Sequence, residues 1–393
     1  MNMKETLCDV TIAGGGIVGS VLALLLVQAG FRIQLIDSTS PKITNNFIPD
    51  LRVLAISYTS VKLLQHLGCW QRIDKRLFAP YHRLETWEWP SATVIFDSTL
   101  LNLPELGCFI ESRRLQKTLW KMFTEHDLLT LHCPASIKTM IYDGYHWKLS
   151  IDDGSLIKSR LLVGADGSSS WVRKQAGISV NGWQYSQSCL LLSITVEQNQ
   201  DNGVTWQVFH PSGPRAFLPL YGQWRSLVWY DHTVRIRQLQ ALPLLTLAQE
   251  VQAAFPSRLG SFQIHDIASF PLMCCHVKNY IKPGLALIGD AAHTINPLAG
   301  QGVNLGVRDA HGLAEILINA RNCDQPWSTL EVLKGYQHLR YTNNLLMQLG
   351  VDIFYSAFSN NFPLLLLARN FGLIFVQHAV GIKKYLLRYA LGL

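Results

Sequence analysis

The sequence predicts an α/β fold in which a parallel-sheet domain of the dinucleotide-binding type is interwoven with an antiparallel β-sheet domain and followed by C-terminal helices. Three observations lead there. The chain opens on a strand–turn–helix–strand unit with a glycine fingerprint. Two more strand–turn units with glycine and aspartate at the turn follow, each more than a hundred residues from the last. Between them lie blocks of short, aromatic-rich β segments, and such a mixture of patterns belongs to interwoven α and β layers.

The first unit is "CDVTIAGGGIVGSVLALLLVQAGFRIQLID", residues 8–37. Val10–Ala13 reads as a strand, residues 21–28 as an apolar helix ended by Gly30, and Arg32–Ile36 as a second strand closing on Asp37. Gly14, Gly16 and Gly19 form a G-x-G-x-x-G. Gly14 permits the sharp turn, Gly16 lets a pyrophosphate approach the backbone, and Gly19 lets helix and strand pack closely. The helix start offers unpaired N–H groups and positive dipole to phosphates. Asp37 is placed to accept hydrogen bonds from an adenosine ribose. This context marks a Rossmann-like unit, and at this point NAD and FAD both remain open.

The second unit is "RLLVGADGSSSWVRKQAGI", residues 160–178: a strand, an Asp166–Gly167 turn, and serines capping a helix that runs to Ala176. The third is "GLALIGDAAHTINPLAGQGVNLG", residues 284–306, where a strand delivers Gly289 and Asp290. From Ala291 to Val307 no residue is charged. A helix entrance so bare leaves room for something else at its positive end. A nicotinamide dehydrogenase needs only the first unit; three convergent turns favour a flavin.

The chain has 393 residues, 48% hydrophobic and 16% charged, with a formal charge of +7 spread along its length. No Lys/Arg block suits nucleic acid, so an anionic cofactor or membrane surface is the expected counterpart. The eight cysteines show no metal-ligand spacing, so no metal is expected and the thiols read as buried. Lys4, Glu5 and Asp9 precede the first strand without a secretory pattern, and no apolar run is long enough to span a bilayer. A cytoplasmic location follows, with peripheral contact at the inner membrane face as an extension of it.

"TWEWPSATVIFD", "SCLLLSITVEQ", "TWQVFH", "RAFLPLYG" and "WRSLVWYD" read as strands of the antiparallel sheet. The expected division is therefore 1–79, 101–182 and 271–340 for the cofactor domain, 80–100 and 183–270 for the substrate sheet, and 341–393 for a helical tail. His293, alone among small residues, reads as a packing or hydrogen-bonding residue rather than a base.

The three motifs GGGIVG, GADG and GDAAHTINPLAGQGVNLG resemble those of the class A flavoprotein monooxygenases, the para-hydroxybenzoate hydroxylase-like group. Four further stretches narrow the likeness to the ubiquinone-biosynthesis hydroxylases: residues 50–70, 82–97, 213–220 and the tail segment "FSNNFPLLLLARNFGL". The resemblance spans almost the whole chain. It implies non-covalent FAD, molecular oxygen as co-substrate, and NAD(P)H or another donor as reductant. It implies hydroxylation of a polyprenylated quinol or phenol through a flavin C4a-hydroperoxide, with the 2-polyprenyl-3-methyl-6-methoxy-1,4-benzoquinol step the best match. By the same resemblance Asp290 binds the ribityl chain, Arg52 lies near the cofactor, and Pro297 shapes the pocket beside the ring. The amides around Gly300, Gln301 and Gly302 face the flavin edge that becomes anionic, and Leu218, Pro219 and Leu220 face the substrate.

No catalytic nucleophile or paired carboxylate stands out. Another ring position in the same pathway, a flavin-dependent reductase or halogenase, and a non-catalytic flavin- or lipid-binding subunit are the alternatives. From Ile353 to the last residue there is no acid, while Arg369, Lys383, Lys384 and Arg388 are basic. The tail is expected to meet an anionic membrane surface or another quinone-biosynthesis protein, or to cap the core.

Overall fold

The computed structural model describes residues 5–41, 48–197, 203–297 and 300–393; Lys4 and positions 298–299 of the third motif lie outside them. Five parallel strands form the centre of the first sheet, in the order Leu285–Leu287, Leu156–Gly164, Glu5–Ala13, Ile33–Ile36 and Leu129–His132. Ile281–Lys282 pairs antiparallel at one edge, and the hairpin Ile137–Tyr142/Trp147–Ile151 joins the Leu156–Gly164 strand. The strand read as Val10–Ala13 begins earlier, at Glu5. Its first half, rich in polar residues, is held by pairing with the 156–159 stretch rather than by its own apolar pattern. The helix after the glycines, Ile17–Gln28, is buried nearly all round, which explains why its sequence is apolar without a polar stripe. Helix Gly302–Asn322 crosses it on one side and helix Ser112–Phe123 on another.

The second sheet has eight strands: His293–Thr294, Phe262–Val277, Val180–Val196, Trp224–His232, Arg215–Pro219, Val204–Val208, Arg83–Trp87 and Val94–Asp97. All neighbours are antiparallel except Val204–Val208 with Arg83–Trp87, which run parallel. Side chains alternate between its faces. Leu190, Leu192, Ile194, Phe217, Leu227 and Trp229 pack with the helices Thr233–Gln240 and Leu244–Ala254. Cys189, Leu191, Ala216, Leu218, Val228 and Tyr230 point the other way. The two long strands start at Val180 and end at Val277, past the expected boundaries at 183 and 270. They are unbroken strands that cross between the two layers, their mutual pairing shifted only between Gln184 and Ser188 and between Ser193 and Ile194, so no turn separates the layers. A small third sheet, Val53–Ser57/Gly107–Glu111/Ala79–Tyr81, joins the layers.

The 29-residue helix Leu330–Phe358 ties the halves together and starts before the expected tail boundary at 341. Near its start the Tyr336 hydroxyl donates to the Leu287 carbonyl in the parallel sheet (2.9 Å). Near its end Tyr355 packs on Tyr185 of the antiparallel sheet, ring centroids 4.7 Å apart. Helices Pro363–His378 and Val380–Leu391 follow. Among the described residues no single helix is long and apolar enough to cross a membrane. All eight cysteines are free; six are buried, while Cys133 is half-buried and Cys323 exposed, contrary to the expectation of uniform burial.

Candidate cofactor and substrate site

Parallel register brings the three motifs to one end of the first sheet. Ala13 pairs with Gly164 and Ile36, and Gly164 pairs with Leu287, so each motif turn begins at the same level. The Ala165 amide donates to the Ala13 carbonyl (2.7 Å) and the Ile288 amide to the Gly164 carbonyl (3.0 Å). Gly14 has φ +105°, and a Cβ there would stand 2.3 Å from the Ala165 carbonyl oxygen. A Cβ on Gly19 would meet the Gly14 carbonyl oxygen at 2.0 Å. Gly16 differs: nothing lies within 4 Å of where its Cβ would be, and it caps the helix with no side chain on the first-turn amides. The turn is thus packed on its protein side and open on the side facing the helix dipole.

Asp37 accepts from the Gly15 amide (2.6 Å) with one oxygen and from the Thr39 amide (2.8 Å) with the other. It fixes the glycine turn as well as ending its strand. Trp120 Nε1 (2.7 Å) and Gln116 Nε2 (2.9 Å) donate to the Gly15 carbonyl and pin the turn from helix Ser112–Phe123. Asp166 is committed to the protein: it accepts from the Trp171 (2.8 Å) and Val172 (3.0 Å) amides and from the Ser170 hydroxyl. Asp166 thereby caps the short helix that follows, with Gly167 (φ +78°) forming the turn beside it. Arg173, which sequence reading passed over, is buried and donates to the Ser168 (2.7 Å) and Ala291 (2.9 Å) carbonyls. It ties the second motif to the third.

In the third motif Gly289 and Asp290 form a tight turn before helix Gly302–Asn322. The Asp290 carboxylate is half-buried and makes no side-chain hydrogen bond with another described residue. Burial pushes its pKa up, against the opposing influence of the nearby His293 and Arg52. Arg52 is exposed and has no ion pair among the described residues, so its charge is felt at Asp290. The helix begins at Gln301–Gly302 with no acidic residue in its first turn and no side-chain cap, leaving its first amides without intrahelical acceptors. One amide differs from expectation: that of Gly300 donates to the Pro297 carbonyl (2.9 Å). The open amides therefore begin at Gln301. Gln301 also carries a buried side-chain oxygen without a partner among the described residues.

Asn304, in the first turn of that helix, holds the third sheet against it. It donates to the Ala55 carbonyl (2.8 Å) and accepts from the Ser57 amide (2.9 Å). Behind the turn, Asp309 is fully buried and accepts from the Gly289 amide (3.1 Å), His293 Nε2, Arg340 Nε (2.8 Å) and Asn344 Nδ2 (2.9 Å). Burial works against its charge, but His293, Arg340 and Asn344 outweigh it and hold its pKa below the carboxylate range. His293 is therefore a buried partner of Asp309 rather than an accessible base.

Leu218 is half-buried where two apolar clusters meet. One contains Tyr185, Tyr230 and Leu272; the other contains Ala55, Phe109 and Tyr81. Ala55 is also the neighbour a Cβ on Gly300 would touch, at 3.2 Å. The third motif and Leu218 thus share a wall. Pro219 and Leu220 do not line it equally: both are buried, and Leu220 packs on Ala79 and Phe109 of the third sheet.

The sequence profile of the FAD binding domain family matches residues 7–340. The chain is 47% identical to the 3-demethoxyubiquinol 3-hydroxylase of Escherichia coli K12 over 386 residues, 98% of each chain. The chain belongs to the FAD-dependent ubiquinone hydroxylases. It is 31% identical to the ubiquinone hydroxylase of Rhodospirillum rubrum, covering 99% of this chain and 90% of that one. Its fold is that of p-nitrophenol 4-monooxygenase from Pseudomonas putida DLL-E4, with a TM-score of 0.82 at 16% identity, covering 98% and 97% of the two chains.

This ubiquinone hydroxylase has the donor set that FAD requires. An open helix start at Gly16 would take the pyrophosphate, the Asp290 carboxylate, without a side-chain hydrogen bond among the described residues, would accept from ribityl hydroxyls, and a second open helix start lies at Gln301–Gly302. The buried Gln301 oxygen, without a partner among the described residues, fits a polar group arriving from outside the chain.

Proposed function

We propose that this hydroxylase acts on a ubiquinol precursor that lacks one methoxy group, the 2-polyprenyl-3-methyl-6-methoxy-1,4-benzoquinol. The observation that carries this reading is the 47% identity over nearly the full length to a 3-demethoxyubiquinol 3-hydroxylase, against 31% to the second relative. A ubiquinol lacking one methoxy carries the prenyl, methyl and single methoxy substituents of that quinol. FAD supplies the oxygen-activating chemistry. The chain's own residues bind and position: the two helix starts take the anionic pyrophosphate and the flavin edge, and Asp290 takes the ribityl hydroxyls. The apolar wall through Leu218, Ala55 and Leu191 excludes water and receives the ring. Oxygen is the co-substrate. A prenylated quinol partitions into lipid, and the C-terminal helices carry the contact with that phase; the cell location that goes with it is the inner, cytoplasmic membrane face.

The test is a competition among short-chain quinols that differ only at the ring position left open. Purified holoenzyme receives NADH or NADPH, oxygen and an equimolar mixture, and products are identified by mass. The demethoxy quinol is expected to be consumed at least tenfold faster than its competitors, since a buried methyl-sized mismatch costs about 1–3 kcal/mol. Preference for a quinol lacking a different substituent would reassign the step.

A further inference from the structure

The helix Pro363–His378 docks through a mixed inward side and leaves a second apolar stripe uncovered. Inward, Leu373 packs with Ala92, Val94, Phe209 and Phe358, and Ile374 and Val376 lean on that cluster; the polar residues beside them are bonded. Arg369 is buried and donates through Nε to Glu88 (2.7 Å) and through Nη1 to the Ala357 (2.8 Å) and Asn360 (2.9 Å) carbonyls. Asn370 donates to Glu88 (2.6 Å) and accepts from the Trp89 amide (3.2 Å). One helical turn after Leu373, Gln377 accepts from the Ile95 amide (2.9 Å) and so occupies the free edge of the antiparallel sheet. The outward stripe is apolar. Leu364 is 71% exposed, Phe371 65% and Phe375 62%, with Phe362 and Leu367 beside them. The helix is held on by the Leu373 cluster together with these hydrogen bonds and an ion pair, which leaves the Leu364, Leu367, Phe371 and Phe375 stripe turned to the outside. An outward apolar surface of this size on a rigid element marks a contact site.

Its surroundings say what kind. The chain turns through 94° into helix Val380–Leu391, which adds exposed Val380, Ile382 and Tyr385. No acid occurs from Ile353 onward. Of the four basic residues in the tail, Arg369 is spent on Glu88, and Lys383 is buried and donates to the Gln377 carbonyl (3.2 Å). Lys384 and Arg388 remain exposed. Leu387 and Leu391 pack inward on Leu106, so the second helix caps the core with one face while its cations flank the other. Aromatic and aliphatic side chains in a band, cations beside it and no acid make a surface suited to anionic lipid, with neither helix long enough to span.

We infer that helix Pro363–His378, with Lys384 and Arg388 beside it, seats this enzyme on an anionic bilayer. The inference rests on the lipid-soluble substrate proposed above for its biological sense, though not for its geometry. The apolar stripe enters the boundary between headgroups and acyl chains, and the two cations favour anionic headgroups, each by roughly fivefold. Because Glu88 and Ile95 anchor the helix to the substrate sheet, seating it holds that sheet at the lipid surface.

Vesicle cosedimentation of the full-length holoenzyme tests this, using phosphatidylcholine vesicles with and without phosphatidylglycerol. Wild type is expected to bind, more tightly with phosphatidylglycerol. The triple variant Leu364→Ser/Phe371→Ser/Phe375→Ser is expected to lose at least tenfold in vesicle affinity. It should keep FAD and keep its turnover of a soluble short-chain quinol, since these side chains bear on nothing inside. Lys384→Glu/Arg388→Glu should remove the preference for phosphatidylglycerol while the apolar contribution persists. Wild type that binds neither vesicle, or a triple variant that binds like wild type, overturns the inference. So does a wild type that is oligomeric in solution and becomes monomeric in the triple variant, because the stripe is then a contact between copies. Short-chain turnover is read separately, so failure of the substrate assignment and failure of the lipid contact are told apart.

Discussion

Gly16 and Gly19 lie three residues apart, and their surroundings give opposite consequences to the same substitution. A side chain at Gly19 would drive into the Gly14 carbonyl at 2.0 Å, so Gly19→Val is expected to fail to fold or to lose several kcal/mol. A side chain at Gly16 meets no protein atom within 4 Å, and its extended backbone accepts a branched residue. Gly16→Val should therefore melt near the wild-type temperature with FAD stripped from both proteins, yet retain little flavin after gel filtration. The comparison needs only thermal melts and the flavin absorbance of the purified proteins. A Gly16→Val protein that keeps full flavin would show that the open space is not where the pyrophosphate lies. The glycines and Asp290 could be read in the sequence because their pattern is local: a turn, a helix start and a strand end lie within a few residues. Arg173, Asn304 and Asp309 were not, since each acts on a backbone or side chain far away in the chain, and only the fold brings these together.

At the scale of elements, the helix Leu330–Phe358 carries a buried polar ladder. Arg340, Asn344, Gln348 and Asp352 recur at intervals of four residues, which puts them on one face. Arg340 and Asn344 meet Asp309, Asn344 meets the Tyr280 hydroxyl, and Gln348 meets His276 and Cys274. In sequence such a stripe reads as the solvent face of an amphipathic helix. The apolar residues Leu346, Leu349 and Ile353 are the exposed ones here, so periodicity was legible and its direction was not. The strand positions of the antiparallel sheet were legible by alternation, whereas the parallel pairing of Val204–Val208 with Arg83–Trp87 was not, because parallel neighbours lie far apart in the chain. The ladder also predicts a pH dependence. Burial, with His293 acting in the same direction, lowers the His276 pKa, so its neutral ring is favoured in the folded state. The unfolded chain takes up the proton first, near pH 6.5. Stability contributed by His276 is thus present above that pH and is lost as pH falls through and below it. The melting temperature of wild type should drop between pH 7 and 5, and His276→Gln should flatten that drop; an equal slope in both proteins would place the acid sensitivity elsewhere.

At the scale of the molecule, two sheets of different construction face each other across one site. The parallel sheet collects three motif turns at one end, and the antiparallel sheet turns Leu191, Leu218 and Tyr230 toward the nucleotide domain. The third sheet joins them, with Asn304 holding its Val53–Ser57 strand at the start of the third-motif helix. The long helix spans both layers, and the final pair covers the sheet edge while turning an apolar side outward. This arrangement puts the three motif turns, the apolar wall at Leu218 and the outward apolar side of the last helices on one body, which suits an enzyme that hydroxylates a prenylated ring. The most direct measurement is turnover of the demethoxy quinol by FAD-loaded enzyme under isotopically labelled oxygen gas, with product and hydrogen peroxide both quantified. One labelled oxygen atom on the ring of each product, with little peroxide, is the predicted result. Unlabelled product, or reductant consumed into peroxide with no ring oxygen gained, would contradict it.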